Sequence, residues 1–304
     1  MGYDFSESGD EKVLTHARAF DLHPDFEFVG AIDTDAELRE SFTQRYGAPS
    51  WEDIEGMELS ASVDVVVLAT PPQTHLPLTR QFLSRLNPRV LFCEKPFGTN
   101  AAESESILEL CTEVGVDCFV NYMRLSAPAV HEIRDILGSG ERPNVRGTVW
   151  YSKGLRNSAS HFINLQQHLF GDVTEVQVLD PRCQSSKGLE PDFRLGFGSS
   201  DITFLAARSH PLFHNALEWI SSRGVMSYAL AGQEICWRPA HRSEVYDGVV
   251  TLSTKDRGAI ASDFQRLQWH VVDQLSRHLR GEEGNLCSGL LALETNRIVD
   301  ILEN

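Results

Sequence analysis

The chain has 304 residues, enough to bury two separate cores. At 41% hydrophobic and 23% charged residues, with 13 Pro and 22 Gly, its composition excludes disordered, collagen-like and low-complexity classes. Its 27 Lys and Arg against 43 Asp and Glu give a formal charge of -16, which would repel a phosphate backbone and argues against nucleic-acid partners.

The longest apolar runs, such as residues 63–70, are too short to cross a bilayer. The opening stretch MGYDFSESGDEK is polar and acidic, unlike a secretory leader. Met1-Gly2 alone does not argue for a lipid anchor, since Asp4 follows closely and no second membrane signal is present. These features predict a soluble cytoplasmic protein with no membrane partner. The cysteines at 93, 111, 118, 183, 236 and 287 lack the spacing of a zinc knuckle or a redox dithiol, so no metal site is expected. Cys93 and Cys118 sit in apolar settings and read as small buried hydrophobes.

Residues 11–20 carry the first helical pattern, and residues 26–33 read as a short strand ending on Asp33. A helix over 35–46 follows, with Gly47 as its C-terminal cap. Residues 63–69 form a nearly unbroken β-branched and aliphatic run, suited to a parallel strand covered on both faces. Thr70-Pro71-Pro72 stops that strand, and helix 76–86, strand 89–93, helix 100–115 with Thr99 or Asn100 as N-cap, and strand 118–121 complete the first half. Alternating strands and helices predict a doubly wound parallel α/β sheet. Beyond about residue 122 the pattern changes. Helices are expected over 127–137, 159–170, 264–279 and 290–302, and strands over 145–151, 173–179, 201–207, 216–221, 225–231 and 234–238. This predicts an α+β domain on an open antiparallel sheet, so the expected division is 1–122 and 123–304.

A doubly wound nucleotide-binding domain holds pyrophosphate on its first strand and glycine-rich turn. Neither precedes the strand that ends at Asp33. The expectation is that the chain starts at an internal methionine, with the true start upstream. The competing explanation is a genuinely shortened product that binds cofactor weakly.

Four constellations carry candidate chemistry. Asp33, at a strand end, is placed to accept hydrogen bonds from an adenosine ribose and to repel a 2′-phosphate; a loop or cap aspartate is the plainer alternative. Thr70, Pro71, Pro72, Thr74 and His75 form a stiff loop at the edge where α/β ligands bind, or else an ordinary strand-to-helix turn. Glu94-Lys95-Pro96 follows a parallel strand, so an ammonium projects there that stabilises a developing alkoxide, unless Lys95 is a surface lysine. The bond before Pro96 is a candidate for the cis form. Asn157, His161, Asn164 and His168, with Ser160 nearby, share one face at helical spacing, and Arg156 is the sole charge between Gly154 and Gly171. Neutral amides and imidazoles suggest a cavity lining with His161 as acid/base, against the alternative of a satisfied core network.

Residues 63–75 (VDVVVLATPPQTH), 91–99 (LFCEKPFGT), 120–124 (VNYMR) and 157–165 (NSASHFINL) together resemble the Gfo/Idh/MocA oxidoreductases, named for glucose–fructose oxidoreductase, inositol dehydrogenase and rhizopine catabolism. The likeness runs from about Leu14 to the end of the chain. It implies a Rossmann-like fold, NAD as cofactor with NADP as the alternative, and a sugar, nucleotide sugar or cyclitol substrate. It further implies Lys95 and His161 as catalytic residues, and Asp33, Thr70, Pro71, Pro72, His75, Glu94, Lys95 and Pro96 at the cofactor. Asn121, Arg124, Asn157 and Asn164, with Lys95 and His161, would meet the substrate. Assembly as a homodimer or homotetramer through the second domain's sheet is also implied. Many members carry aspartate where Asn157 and Asn164 stand, and an amide cannot titrate. The alternatives to hydride transfer are a non-catalytic, cofactor-deficient regulator and redox-assisted elimination or glycoside cleavage.

Overall fold

The computed structural model describes residues 12–58, 62–138, 143–181, 184–185, 188–208, 212–253 and 257–304. The acidic opening stretch, Glu11 and Cys183 lie outside the described residues. The chain forms two compact units, one of Met1–Ser126 with Gln265–Leu293 and one of Ala127–Phe264 with Glu294–Asn304.

In the first unit, α1 (His16–Leu22) leads through a loop to β1 (Ala31–Ile32), α2 (Ala36–Tyr46) and β2 (Ser50–Trp51). Then follow β3 (Val65–Leu68), α3 (His75–Leu86), β4 (Val90–Cys93), α4 (Ala101–Val114) and β5 (Asp117–Val120). Local chemistry sets the helix ends. Asp35 caps α2 by accepting from the Glu37 and Leu38 amides, and Gly47 ends it at φ 69, a left-handed conformation. Asn100 caps α4, and the Glu103 carboxylate reaches back to the Thr99 amide at 2.7 Å.

β3, β4 and β5 are parallel in that order. The late strand Cys287–Ser288 adds antiparallel to β5. Every β4 side chain is buried, because the strand lies inside the sheet with both faces covered. Val90 and Phe92 pack against Val13, Ala19 and Phe20 and against Val271, Val272 and Leu275 of the helix Leu267–Leu279.

The strand expected over 26–33 is a ladder at Ala31–Ile32 only, paired in parallel with Ser50–Trp51. A parallel strand gains length from neighbours on both edges, and among the described residues β1 has one, itself two residues long. β3 likewise ends the described four-stranded ladder.

The second unit begins with α5 (Pro128–Leu137) and β6 (Val145–Tyr151). A π-turn (Leu155–Ala159) runs into α6 (Ser160–Phe170). β7 (Glu175–Asp180) is followed by the small hairpin β8 (Gln184–Ser185) and β9 (Gly188–Leu189). Next come β10 (Asp192–Phe197), β11 (Ser200–Ala206), β12 (Ala216–Ser221) and β13 (Gly224–Ala229). β14 (Glu234–Arg242), β15 (Val250–Leu252) and β16 (Gly258–Ile260) complete a nine-stranded sheet. Its ladders are antiparallel except β6 with β11. That exception is a tertiary event that strand patterning does not encode. β10 also escaped the sequence pattern: Phe193 and Phe204 stack at 4.4 Å, and its inner residues are buried.

One sheet face holds the core. Ile202 and Phe204 point inward while Asp201 and Thr203 point outward, as period-two alternation requires. Phe170 of α6 packs edge-on against Trp219 and Phe197. The last helix, Gly289–Glu303, begins in the first unit and ends in the second.

Candidate functional site

Because β3, β4 and β5 are parallel, the residues following each strand leave at one sheet edge. Thr70-Pro71-Pro72 follows β3, Glu94-Lys95-Pro96 follows β4 and Asn121 follows β5. In the β3 loop the Thr74 hydroxyl lies 2.7 Å from the Pro71 carbonyl and 2.7 Å from the Thr70 hydroxyl. The carbonyl can only accept, so Thr74 donates to it and Thr70 donates to Thr74. After β1, one oxygen of the half-buried Asp33 carboxylate accepts from the Asp35 amide at 2.9 Å.

His75 departs from the sequence expectation. Its ring has no exposed surface. Nε2 lies 2.8 Å from the Thr70 carbonyl, while Nδ1 lies 3.2 Å from the Cys93 sulfur and 3.1 Å from the Phe97 carbonyl. Burial and the neighbouring Glu94 charge push the Cys93 thiol well up, so it keeps its proton and can donate to Nδ1. Both carbonyls can only accept, so a neutral ring donates to one of the two, Thr70 or Phe97. The ring anchors the loop from inside the unit.

The Lys95-Pro96 bond is cis. Glu94 gathers the surrounding polar groups: its Oε1 accepts from His16 Nε2 and from Asn121 Nδ2, each at 2.7 Å, and its Oε2 accepts from the Lys95 amide at 3.1 Å. Burial raises the Glu94 carboxyl, but the hydrogen bonds from His16, Asn121 and the Lys95 amide more than offset it and hold the group below its ordinary range. Burial lowers the Lys95 ammonium; the Glu94 charge opposes that and Arg124 reinforces it, leaving the lysine below its ordinary range. Arg124 is itself buried on a short turn after β5. Asn121 was expected at the substrate. Its amide nitrogen instead serves Glu94 and, at 3.1 Å, Gln268 Oε1; its buried Oδ1 has no hydrogen-bond partner among the described residues.

In the second unit the π-turn alters the face predicted around His161. Wider winding moves Asn157 off the line of the α6 residues, so Asn157 is exposed while His161 and Asn164 are buried. Asn164 donates to Thr295 Oγ1 at 2.9 Å, and Thr295 donates to Gln167 Oε1 at 2.7 Å. Asn164 therefore belongs to an internal network with the last helix. Arg156, the one charge of this stretch, bonds Asp300 at 2.7 Å and Glu303 at 2.9 Å. Burial, with the nearby charges of Arg134 and His131, pushes His168 down to about 4.

His16, Gln268, Thr295 and Gln167 were not singled out by the sequence. Their partners lie between 78 and 252 positions away for the first pair and 128 to 131 for the second, beyond any local periodicity.

Residues 13–122 match the family model described as oxidoreductase family, NAD-binding Rossmann fold, of the Gfo/Idh/MocA group. Rhizopine catabolism protein MocA of Rhizobium meliloti is 29% identical over 274 residues, covering 79% of this chain and 84% of that protein. Inositol 2-dehydrogenase of Rhizobium meliloti (strain 1021) is 25% identical over 159 residues, covering 52% of this chain. This match spans 47% of that relative's length. The crystal structure of the WlbA dehydrogenase from Bordetella pertussis, in complex with NADH and UDP-GlcNAcA, shares the fold at a TM-score of 0.73 and 17% identity, over 93% of this chain and 88% of that one. The match to the Gfo/Idh/MocA model, described as an NAD-binding Rossmann fold, covers residues 13–122, and the parallel sheet followed by a second, mostly antiparallel sheet is the fold that the chain shares with these oxidoreductases.

Proposed function

We propose that the chain acts as an NAD(P)-dependent oxidoreductase on a hydroxyl or keto carbon of a sugar, nucleotide sugar or cyclitol. Support for the substrate class comes from relatives named for inositol and rhizopine, and from a fold neighbour bound to a nucleotide sugar. The residues that follow the parallel strands suit a dinucleotide: a carboxylate at Asp33 after the separate β1–β2 ladder and, at the edge of the β3–β5 sheet, a hydroxyl-bearing loop at Thr70, Pro71 and Pro72 and the buried acceptor Asn121 Oδ1 near the Glu94-Lys95-Pro96 turn. Asp33 favours NAD over NADP, since its charge would repel a 2′-phosphate. When bound, the nicotinamide would supply the hydride acceptor or donor.

The chain's own residues divide the remaining work. Lys95 hydrogen-bonds the reacting oxygen and stabilises its developing negative charge. His161 exchanges the hydroxyl proton. Arg124 and Asn157 orient the substrate's other oxygens, while Asn164 acts from the interior by holding α6 to Thr295. Glu94 and Pro96 set the turn that carries the lysine. The functional division is proposed at 122/123, with Gln265–Leu293 supporting the first part.

The observation that carries this reading is Lys95: a half-buried lysine of lowered proton affinity at the carboxyl end of a parallel strand, within the stretch that matches an NAD-binding oxidoreductase model. NADH fluorescence titration, followed by turnover assays over a panel of cyclitols and nucleotide sugars, tests it. Binding with turnover that disappears in Lys95→Met supports the reading. NADH binding that appears only after upstream codons are restored would indicate a start upstream, and absence of binding in both forms would instead favour a cofactor-deficient regulator.

Among the described residues no helix is long and apolar enough to cross a membrane. We further propose a cytoplasmic homodimer or homotetramer assembled on the outer face of the large sheet, where Trp150, Ile220 and Val178 are exposed by 42%, 54% and 41%. Sedimentation equilibrium of wild type and Ile220→Lys tests this: a monomeric wild type would exclude it.

A further inference from the structure

The polar groups behind Lys95 form a closed ring delivered by four separate elements. His16 opens α1, Glu94 follows β4, Asn121 follows β5, and Gln268 lies in the first turn of the helix Leu267–Leu279. Around the ring, Gln268 Nε2 lies 2.9 Å from His16 Nδ1, His16 Nε2 lies 2.7 Å from Glu94 Oε1, and Asn121 Nδ2 reaches both Glu94 Oε1 at 2.7 Å and Gln268 Oε1 at 3.1 Å.

The chemistry of the groups fixes every direction. An amide nitrogen only donates, so Asn121 donates to both of its oxygen partners. Gln268 therefore presents oxygen to Asn121 and nitrogen to His16. Receiving that donor, His16 Nδ1 acts as acceptor, and the imidazole proton resides on Nε2, aimed at Glu94. The long Asn121–His16 contact of 3.5 Å sets two donors side by side and is not a bond in this arrangement. Asn121 and Gln268 are buried to 6% and 4% exposure, so water does not substitute readily for either. The His16 ring also stands edge-on to Phe92 at 5.6 Å, which fixes its plane.

We propose that His16, Asn121 and Gln268 are positioning residues for Lys95: together they clamp the Glu94 carboxylate in one orientation on the Lys95 amide, so that its negative charge acts on the lysine from a fixed place. Glu94 completes the clamp by accepting the Lys95 amide on its other oxygen. The charged groups acting on the lysine are Glu94, which favours the ammonium, and Arg124, which opposes it. An unclamped carboxylate could swing away from the lysine and weaken the one charge that opposes the effect of Arg124 on it. The ring thus sets the balance between the two. The importance of this balance for turnover rests on the oxidoreductase reading, whereas the balance itself can be measured without any activity.

The test reads Lys95 directly. Reductive ¹³C-methylation of the full-length protein, with Lys95→Arg to assign the signal, gives the lysine's titration midpoint by NMR. Glu94→Gln should lower the midpoint by about 1–2 pH units, the effect of removing an adjacent opposite charge. His16→Phe, which keeps a ring against Phe92 but deletes the donor to Glu94, should lower it by a smaller amount. His16→Gln, which can restore a donor to Glu94, should return it toward wild type. Circular dichroism melts accompany each variant, and Gln268→Met provides a second route to loosening the ring should His16→Phe fail to fold. An unchanged midpoint in Glu94→Gln, or equal midpoints in His16→Phe and His16→Gln, overturns the proposal. A shifted midpoint in a protein that binds no NADH and turns nothing over would uphold the clamp and defeat the oxidoreductase reading. Where turnover exists, the His16 and Gln268 variants should lower kcat and move its pH profile with the lysine midpoint, leaving NADH affinity unchanged.

Discussion

The Lys95 segment and the His161 segment present the two proposed catalytic groups in opposite ways. Lys95 leaves the end of a buried parallel strand and is surrounded by charge: Glu94 on one side and Arg124 on the other. His161 lies in α6, whose own sequence carries no Lys, Arg, Asp or Glu, and Arg156 of the preceding turn is taken up by Asp300 and Glu303. The first environment tunes a charged group through electrostatics. The second fixes the position of a helix through buried hydrogen bonds such as Asn164 to Thr295. A cation tuned by neighbours should respond to single charge changes, whereas a group held by packing should respond to loss of its own atoms.

Four substitutions would break or sharpen that contrast, beginning with the largest effect. Lys95→Met should reduce kcat by about 10²–10³-fold or more, the loss associated with removing one donor to a developing oxyanion, with NADH binding retained; steady-state kinetics beside a fluorescence titration would check both halves. His161→Gln should cost about 10²-fold in kcat, the lower end for a lost acid/base group, and its pH–rate profile should lose one limb. If the profile were unaltered, His161 would be a packing residue like Asn164.

The third concerns stability. His168 is pushed down to about 4 in the folded state from an ordinary value of 6.5. The unfolded chain therefore binds the extra proton more readily, so stability is complete above about pH 6.5 and is lost progressively as the pH falls toward 4. Urea melts across this window should show a shallower decline for His168→Gln than for wild type. Last, Asp35→Ala should cost about 1 kcal/mol by removing the cap on α2, read from a shifted denaturation midpoint without change in kcat.

Much of the first unit was legible in the sequence because its signals are local. Asp35, Gly47, Asn100 and Gly115 punctuate the helices through bonds to residues a few positions away. The unbroken apolar run at 63–69 announced a strand, observed as Val65–Leu68 with Val66 and Leu68 buried and Val65 and Val67 half-buried. The second unit gave up its helices and most of its strands for the same reason, but its parallel β6–β11 pair and the two-residue extent of β1 depend on which strands lie alongside.

The site divides along the same line. By itself the sequence determined that a lysine stands at a strand end between Glu94 and Pro96, and that a histidine stands in a helix free of acidic neighbours. Only the tertiary structure decided that His75 turns inward to Thr70 and Cys93, that Asn157 is exposed while Asn164 is consumed by Thr295, and that His16 and Gln268 close on Glu94. The reason is physical. Propensity, capping and periodicity act within a few residues of the chain, whereas a buried polar group takes whatever partner folding brings within hydrogen-bond distance, and for His16 and Gln268 that partner lies 252 positions away.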